Sequence, residues 1–347
     1  MKKIVFLFLV INIICVLLYT KHKTNIPLTE LISLSEYVSG ESILLNMEGN
    51  YNKLHKAALV LEGGSLRSLY TSGVLDVFME NGIRFELIIA VSAGALNAGN
   101  YIANHIGRSA KINILHSNDS NYYGYRQLIF YRRAFNFDYV FYSPMNDLYP
   151  YNEEALLNSQ QRLLIAATNI ETGNAEYFER NTYKELVQVL QASSSIPLLS
   201  QPVNIDGNFY LDGAIDDPIG LNKALSEGYE KIIVILTNHS EYRLPSVSWF
   251  EDIMIKFHNR KYPKLMETIK NRHLKYNSLM DKINNMELDN QIFVIRSNNE
   301  FKIKTMEKDA RKLIKLYFQG RDDARKLLPK MMEYIKENNQ TVEEDTK

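Results

Sequence analysis

The chain has 347 residues, with 40 Lys and Arg against 40 Asp and Glu, so its formal net charge is zero. Nucleic-acid-binding proteins usually carry a marked basic excess, and the neutral balance therefore predicts no nucleic-acid partner. A single cysteine excludes an internal disulfide framework. The seven histidines include no His-x-x-x-His pair, which argues against a zinc hydrolase. We predict no metal site.

The N-terminus has the outline of a targeting segment. Lys2 and Lys3 precede an apolar run over residues 4–19, and no small-residue cleavage pattern follows. Residues 1–23 are therefore expected to form a membrane anchor or an uncleaved signal-like segment, which predicts a membrane-associated protein without indicating the side of the membrane. The alternative is a helix packed on the domain. Residues 24–56 are expected to be a connector.

Short apolar runs in the next part of the chain predict strands that are buried on both faces. They cover residues 57–61, 85–91, 163–167 and 231–236, with further extended segments at 177–178 and 209–211. A helix is predicted over about residues 68–80, ending at Asn81 and Gly82. Strands that alternate with helices predict an α/β fold with a mostly parallel central sheet flanked by helices.

The C-terminal part differs in charge and pattern. Residues 251–347 carry an excess of about five positive charges. Helical spacing of apolar residues is interrupted by one short apolar run at 292–295, which predicts a strand. We predict a basic, mainly helical region over residues 246–337, packed on the sheet edge, and a disordered tail at 338–347. A membrane-facing or partner-facing surface is the alternative for the basic helices.

The first candidate for chemistry is a serine where a buried strand meets a small-residue helix. Ala90, Ser92 and Gly94 lie in the sequence Ala-Val-Ser-Ala-Gly. A nucleophile elbow needs tiny neighbours around its serine, because the chain turns sharply there and exposes the hydroxyl at the sheet edge. The alternative is that Ser92 only caps the helix that follows.

The second candidate is a glycine turn after the first predicted strand. Gly63, Gly64, Ser65 and Arg67 precede a predicted helix. Consecutive glycines allow backbone N–H groups to face a ligand oxygen, as in an oxyanion hole or a phosphate cradle. The segment lacks the Gly-Lys-Ser/Thr of a P-loop and two glycines of a dinucleotide-binding turn. An ordinary strand-to-helix turn is the alternative.

The third candidate is Asp212, which Gly213 follows directly. An Asp-Gly pair can present a carboxylate in a tight turn at a sheet edge. Burial raises the pKa of a carboxyl group, so such an aspartate can act as general base towards a serine without a histidine. The alternative is a purely structural Asx-turn.

Taken in order, these three motifs resemble those of the patatin-like phospholipase family, in particular its bacterial branch, over residues 57–240. The resemblance implies a three-layer sandwich as the catalytic domain, over residues 57–245, and no cofactor. It implies that Ser92 is the nucleophile and Asp212 the base. It also implies that the backbone of Gly63, Gly64 and Ser65 forms an oxyanion hole, with Arg67 at the family's basic position. Ser65, Ser68 and Ala90 replace family glycines, and we expect retained or weakened activity from these small changes.

The resulting expectation is a serine acyl hydrolase, a phospholipase or lipid esterase, that uses a Ser-Asp dyad on a lipid or acyl-ester substrate. One alternative is a weakly active or silent lipid-binding or regulatory protein on the same fold. A second is a triad that includes His239, which follows a predicted strand. Acyl transfer to an acceptor other than water is a third. Head-group preference and oligomeric state are not predicted by these motifs.

Overall fold

The computed structural model describes four stretches of the chain, residues 54–142, 145–179, 182–248 and 261–336. The predicted anchor, nearly all of the connector and the predicted tail lie outside the described residues. Within the described stretches, no helix combines the length and the apolar character that crossing a bilayer requires.

The centre of the fold is an eight-stranded sheet with the order β5-β6-β3-β2-β1-β7-β8, in which β4 also pairs with β3. The strands are β1 His55–Leu61, β2 Phe85–Val91, β3 Arg162–Asn169, β4 Ala175–Glu179, β5 Val203–Ile205, β6 Asn208–Asp212, β7 Ile232–Ile235 and β8 Phe293–Ile295. The pairs among β3, β2, β1, β7 and β8 are parallel. The pairs that involve β4, β5 and β6 are antiparallel. The sheet is therefore mixed and mostly parallel, which confirms the predicted fold class.

Helices connect and cover the strands. They are α1 Leu69–Glu80, α2 Ala93–Ile102, α3 Arg108–Ala110, α4 Tyr125–Tyr131, α5 Phe137–Phe141, α6 Met145–Leu148, α7 Glu153–Leu157, α8 Tyr183–Ser193, α9 Leu221–Ser226, α10 Pro263–Leu288 and α11 Ala310–Lys336. A 3-10 turn over Ser65–Ser68 leads into α1, and a π-helical turn over Lys111–Leu115 continues α3.

Alternate residues of the central strands enter different cores. Leu59 and Ile88 face one side, in the core that contains α1, α2, α8 and α11. Val60 and Ile89 face the other side, where α9 and α10 cover the sheet. This three-layer arrangement explains why these strands read as continuous apolar runs, since a strand that is buried on both faces has no solvent-facing side.

The C-terminal region shares the fold of the preceding part. β8 extends the sheet beyond β7, and α11 crosses α1 at two glycines. A Cβ at Gly320 would lie 2.1 Å from the carbonyl oxygen of Tyr70, and a Cβ at Gly73 would lie 2.2 Å from that of Tyr317. The backbones of the two helices are therefore in direct contact, which larger residues would prevent.

Buried charged groups secure the same crossing. Nη2 of Arg321, a residue that is only 2% exposed, donates to both carboxylate oxygens of Glu80 at 2.6 and 2.7 Å. The hydroxyl of Tyr317 donates to Oδ2 of Asp76 at 2.6 Å. Burial raises the pKa of Asp76 to about 7. The C-terminal helix is thus anchored by both close packing and paired polar groups.

The contact between α1 and α11 predicts that the stability of the fold is sensitive to substitution of Gly320. The variant Gly320→Ala should lower the free energy of unfolding by about 2 kcal/mol or more, because its methyl group would force the two backbones apart. Chemical denaturation measures this loss. Lys315→Ala, on the exposed side of the same helix, is the matched control and should change stability by less than about 0.5 kcal/mol. Equal stability of both variants would contradict the close crossing.

Candidate active site

The predicted elbow is a strained turn at the end of β2. Ser92 has φ 55° and ψ −127°, a conformation that is uncommon for a residue with a side chain. A Cβ at Gly94 would lie 2.7 Å from the carbonyl oxygen of Leu61 and 2.8 Å from that of Glu62. The turn is therefore seated against the end of β1, and only glycine fits at position 94. Ala90 pairs with Leu61 inside the ladder and packs in the core, so its methyl group stays out of the turn.

Ser92 and Asp212 meet although they are 120 positions apart in the chain. The hydroxyl of Ser92 donates to Oδ2 of Asp212 at 2.8 Å. The other carboxylate oxygen accepts the N–H of Ala214, also at 2.8 Å. The register of the sheet explains the meeting, because β6 places Asp212 opposite Ala167 of β3 and β2 ends beside the preceding residue of β3.

The surroundings of Asp212 favour its protonated form more than water does. Ser92 and Asp212 are each 5% exposed. Burial raises the pKa of Asp212 from 3.8 to about 6. The hydrogen bonds from Ala214 and Ser92 and the positive charge of Arg272 act in the opposite direction and offset only part of this rise. A carboxylate with such a pKa can take up a proton from a hydroxyl and release it again near neutral pH.

Two further contacts come from a serine-rich segment at the end of α8. Oγ of the fully buried Ser193 accepts the backbone N–H of Ser92 at 2.8 Å. The carbonyl of Ser195 accepts the backbone N–H of Asp212 at 2.9 Å. One segment therefore fixes the backbone on both sides of the Ser92–Asp212 contact. Nothing in the local sequence indicates this role.

Arg272 of α10 is another residue that the sequence motifs do not indicate. Its Nε donates to the carbonyl oxygen of Ala214 at 2.7 Å. The contact places a cation from the C-terminal region next to the turn that carries Asp212. A lone arginine within a basic amphipathic helix has no local signal that would have identified it.

The glycine turn lies directly against the serine. A Cβ at Gly63 would lie 3.0 Å from Cβ of Ser92. The preceding Glu62 is buried, and its carboxylate accepts the hydroxyl of Tyr276 at 2.8 Å and that of Thr237 at 2.9 Å. Side chains from two other elements thus hold the start of the turn in place.

The four residues of the predicted oxyanion hole differ in what their N–H groups contact. The N–H of Gly63 donates to the carbonyl of Pro218 at 3.3 Å, and that of Arg67 to the carbonyl of Gly64 at 3.0 Å. In the described part of the chain, the N–H groups of Gly64 and Ser65 have no protein acceptor. Of these four residues, Gly64 and Ser65 are therefore the ones whose N–H groups remain for a ligand oxygen.

Ser65 adopts a backbone conformation that favours glycine, with φ 50°. Its hydroxyl donates to the carbonyl of Thr305 at 2.9 Å, which links the turn to the segment before α11. The replacement of a glycine by serine is therefore accommodated here, and the added side chain has a structural partner.

A cavity opens beside Ser92. Part of its lining is polar, where Asn97 accepts the hydroxyls of Ser72 and Ser109 at 2.9 and 2.7 Å and donates to the carbonyl of Ser68 at 2.8 Å. The apolar side chains of the lining are Leu66, Leu69, Leu96, Ile112, Phe135, Phe137, Val140, Phe141 and Ile196. Such a cavity suits a ligand with an extended hydrocarbon part and a polar end.

Neither a histidine nor a metal cluster belongs to this site in the described residues. The ring of His239 lies edge-on to that of Tyr242, with centroids 6.2 Å apart. Among the residues that the structure covers, no histidine forms a hydrogen bond with Ser92 or Asp212. No group of three or more His, Cys, Asp and Glu side chains there is arranged to hold a metal ion.

Parts of the chain are similar to known proteins. A family profile described as patatin-like phospholipase matches residues 59–225. A second profile, described as a domain of unknown function (DUF6363), matches residues 262–336. The chain is also 29% identical over 201 residues to the uncharacterized protein YjjU of Escherichia coli K12. That alignment covers 56% of each protein, so the chain spans little more than half the length of this relative. The patatin-like phospholipase profile thus covers residues 59–225, the stretch that holds Ser92, Asp212 and the glycine turn.

Proposed function

We propose that the protein is a serine acyl hydrolase that cleaves ester-linked acyl chains of lipids, with Ser92 as nucleophile and Asp212 as general base. The observation that carries the proposal is the 2.8 Å hydrogen bond between the two side chains, in a buried and strained turn. The match to a family of lipid acyl hydrolases supports the substrate class. The apolar side chains that line the cavity beside Ser92 support it independently.

In the first half of the reaction, Oδ2 of Asp212 takes the proton of Ser92 as Oγ attacks the ester carbonyl carbon. Negative charge then develops on the carbonyl oxygen. The N–H groups of Gly64 and Ser65 are the proposed donors to it, and each such donor is worth about 10²–10³ in rate. The N-terminus of α2, which begins just after Ser92, adds a favourable dipole.

The tetrahedral intermediate collapses when the bond to the leaving alcohol breaks. The alcohol oxygen takes the proton from Asp212, which leaves an acyl group on Oγ of Ser92 and an ionised Asp212. A water molecule then attacks the acyl carbonyl, with Asp212 accepting its proton. Collapse of the second intermediate releases the fatty acid and returns the proton to Ser92.

The mechanism predicts large and non-additive losses for the two side chains. Ser92→Ala and Asp212→Asn should each lower kcat on a soluble short-chain nitrophenyl ester by about 10³-fold or more, and the double variant should lose little further. Steady-state kinetics with circular dichroism as a folding check measures this. Asp281→Asn, an exposed carboxylate on α10, is the matched control. A folded Ser92→Ala variant with wild-type activity would contradict the assignment, whereas acyl-chain binding without turnover by the wild type would favour the silent lipid-binding alternative.

Asp212→Asn should also raise the melting temperature at pH 8. The folded pKa of Asp212, about 6, lies above its ordinary value of 3.8, so the stability contribution of this residue is lost as pH rises through 6 and the buried group ionises. The neutral amide avoids that cost. Differential scanning calorimetry at pH 5 and pH 8 should show the larger gain at pH 8. A gain that does not depend on pH would argue against a raised pKa.

The pH dependence of catalysis follows from the same group. The base must be ionised, so kcat/KM should rise with pH through a midpoint near 6. Because the positive charge of Arg272 lowers the pKa of Asp212, the variant Arg272→Gln should move this midpoint to higher pH. Lys282→Gln, an exposed position on the same helix, should leave it in place. An unchanged midpoint in Arg272→Gln would mean that a group other than Asp212 causes the loss of activity at low pH.

A further inference from the structure

The short helix α4 exposes most of its apolar side chains and buries a polar one. Tyr125, Ile129 and Phe130 are 71%, 70% and 74% exposed, and Tyr131 is 52% exposed. Gln127 is only 2% exposed. Amphipathic helices of globular proteins normally have the opposite orientation. Groups of large apolar side chains at the surface mark interaction sites.

The outward orientation is fixed by specific contacts. Nε2 of Gln127 donates to the carbonyls of Ser120 and Asn121 at 2.9 and 3.0 Å. Its Oε1 accepts Nε of Arg133 at 3.1 Å. The buried amide thus has partners for both of its ends. Turning the apolar side inward would break these three hydrogen bonds, so the exposure is a property of the fold.

α4 is attached to the wall of the cavity that contains Ser92. The chain enters and leaves the helix through a short antiparallel contact, in which Gly124 donates to Ala134 at 3.3 Å and Asn136 donates to Tyr122 at 2.7 Å. Tyr122 and Phe135, at the base of this stem, line the cavity. A surface that contacts the outward side of α4 therefore lies near the cavity.

Positive charge surrounds the exposed apolar residues. Arg126 and Arg132 are exposed and form no ion pair with any described residue. The ammonium of Lys308 lies 3.5 Å from the position that a Cβ of Gly124, at the start of α4, would occupy. Lysine and arginine side chains beside these residues can pair with the phosphates of a membrane surface. Tyrosine and phenylalanine rings suit the boundary between head groups and acyl chains.

We propose that α4 docks on a lipid bilayer that contains anionic phospholipids and so brings the Ser92 cavity to its substrate. The proposal rests on the lipid substrate of the proposed function. A bilayer is favoured over a protein partner because one seven-residue helix offers far less than the roughly 800 Å² per partner that a stable protein interface buries.

A site-specific probe tests docking without relying on catalysis. In the 347-residue chain, Cys15→Ser removes the single cysteine, and Phe130→Cys accepts an environment-sensitive fluorophore. On phosphatidylcholine vesicles that contain phosphatidylglycerol, the probe at position 130 should shift to the blue and be quenched by brominated acyl chains. A probe introduced by Leu288→Cys, at a site that is 80% exposed on α10, should do neither. A probe at 130 that stays in water in the presence of these vesicles would overturn the proposal.

Hydrolysis separates interfacial docking from the catalytic site. The double variant Ile129→Ser/Phe130→Ser should lower hydrolysis of vesicle phospholipid by about tenfold or more and leave that of a soluble short-chain ester unchanged. Leu274→Ser/Leu288→Ser, which alters exposed leucines on α10, is the matched control. An equal loss on both substrates would overturn the docking role. If the wild type cleaves neither substrate, the proposed function fails, and the probe at 130 still decides docking.

The charge requirement has its own test. With the probe at position 130, Arg126→Gln/Arg132→Gln should weaken docking of α4 on phosphatidylglycerol-containing vesicles by about fivefold for each arginine and leave its docking on pure phosphatidylcholine unchanged. Equal weakening on both vesicle types would contradict the proposal that the bilayer must contain anionic phospholipids. Light scattering tests whether α4 instead binds a second copy of the chain. A dimer that dissociates in the Ile129→Ser/Phe130→Ser variant would overturn the proposal that a bilayer is the partner of α4.

Discussion

The chemistry proposed for this fold depends on how closely the backbones approach each other where β2 ends against β1 and where β6 ends against β3. A Cβ at Gly94 would lie 2.7 Å from the carbonyl of Leu61, and one at Gly213 would lie 2.4 Å from that of Ala166. At this junction Ser92 takes a positive φ, and its hydroxyl is within hydrogen-bond distance of Asp212. The strain and the burial of a carboxylate both lower the free energy of unfolding. The packing of the surrounding sheet and helices offsets that loss. The same features that destabilise the site are the ones that would make a serine reactive without a histidine.

The C-terminal region takes part in this arrangement. It adds β8 to the sheet, and its helix α11 contacts α1 through paired glycines. Arg272 bonds the carbonyl of Ala214, and the carbonyl of Thr305 accepts the hydroxyl of Ser65. These contacts reach the two turns that flank the nucleophile. The region that matches a domain of unknown function thus contacts both of the turns that lie next to Ser92 in this chain.

Part of this arrangement could be predicted from the sequence, for reasons that differ among its elements. The strands beginning near residues 57 and 85 were recognisable because both of their faces are buried. Each motif residue also has a purely structural interpretation, as a helix cap or as part of a turn. In Asp212 one carboxylate oxygen forms the Asx-type bond to the N–H of Ala214 and the other accepts from Ser92, so the turn role is compatible with the proposed role as base. The roles of Ser193 and Arg272 depend on tertiary contacts and have no local signature. The orientation of α4 was also beyond prediction, because an apolar run is normally a sign of burial.

The central claim is that the hydroxyl of Ser92 is a nucleophile activated by Asp212. Covalent labelling by a fluorophosphonate tests it most directly, since the reagent needs an activated serine and no knowledge of the natural substrate. Peptide mapping by mass spectrometry should find one adduct, on Ser92, that forms much more slowly in the Asp212→Asn variant. An adduct on another residue, or equal labelling rates with and without the Asp212 carboxylate, would contradict the claim.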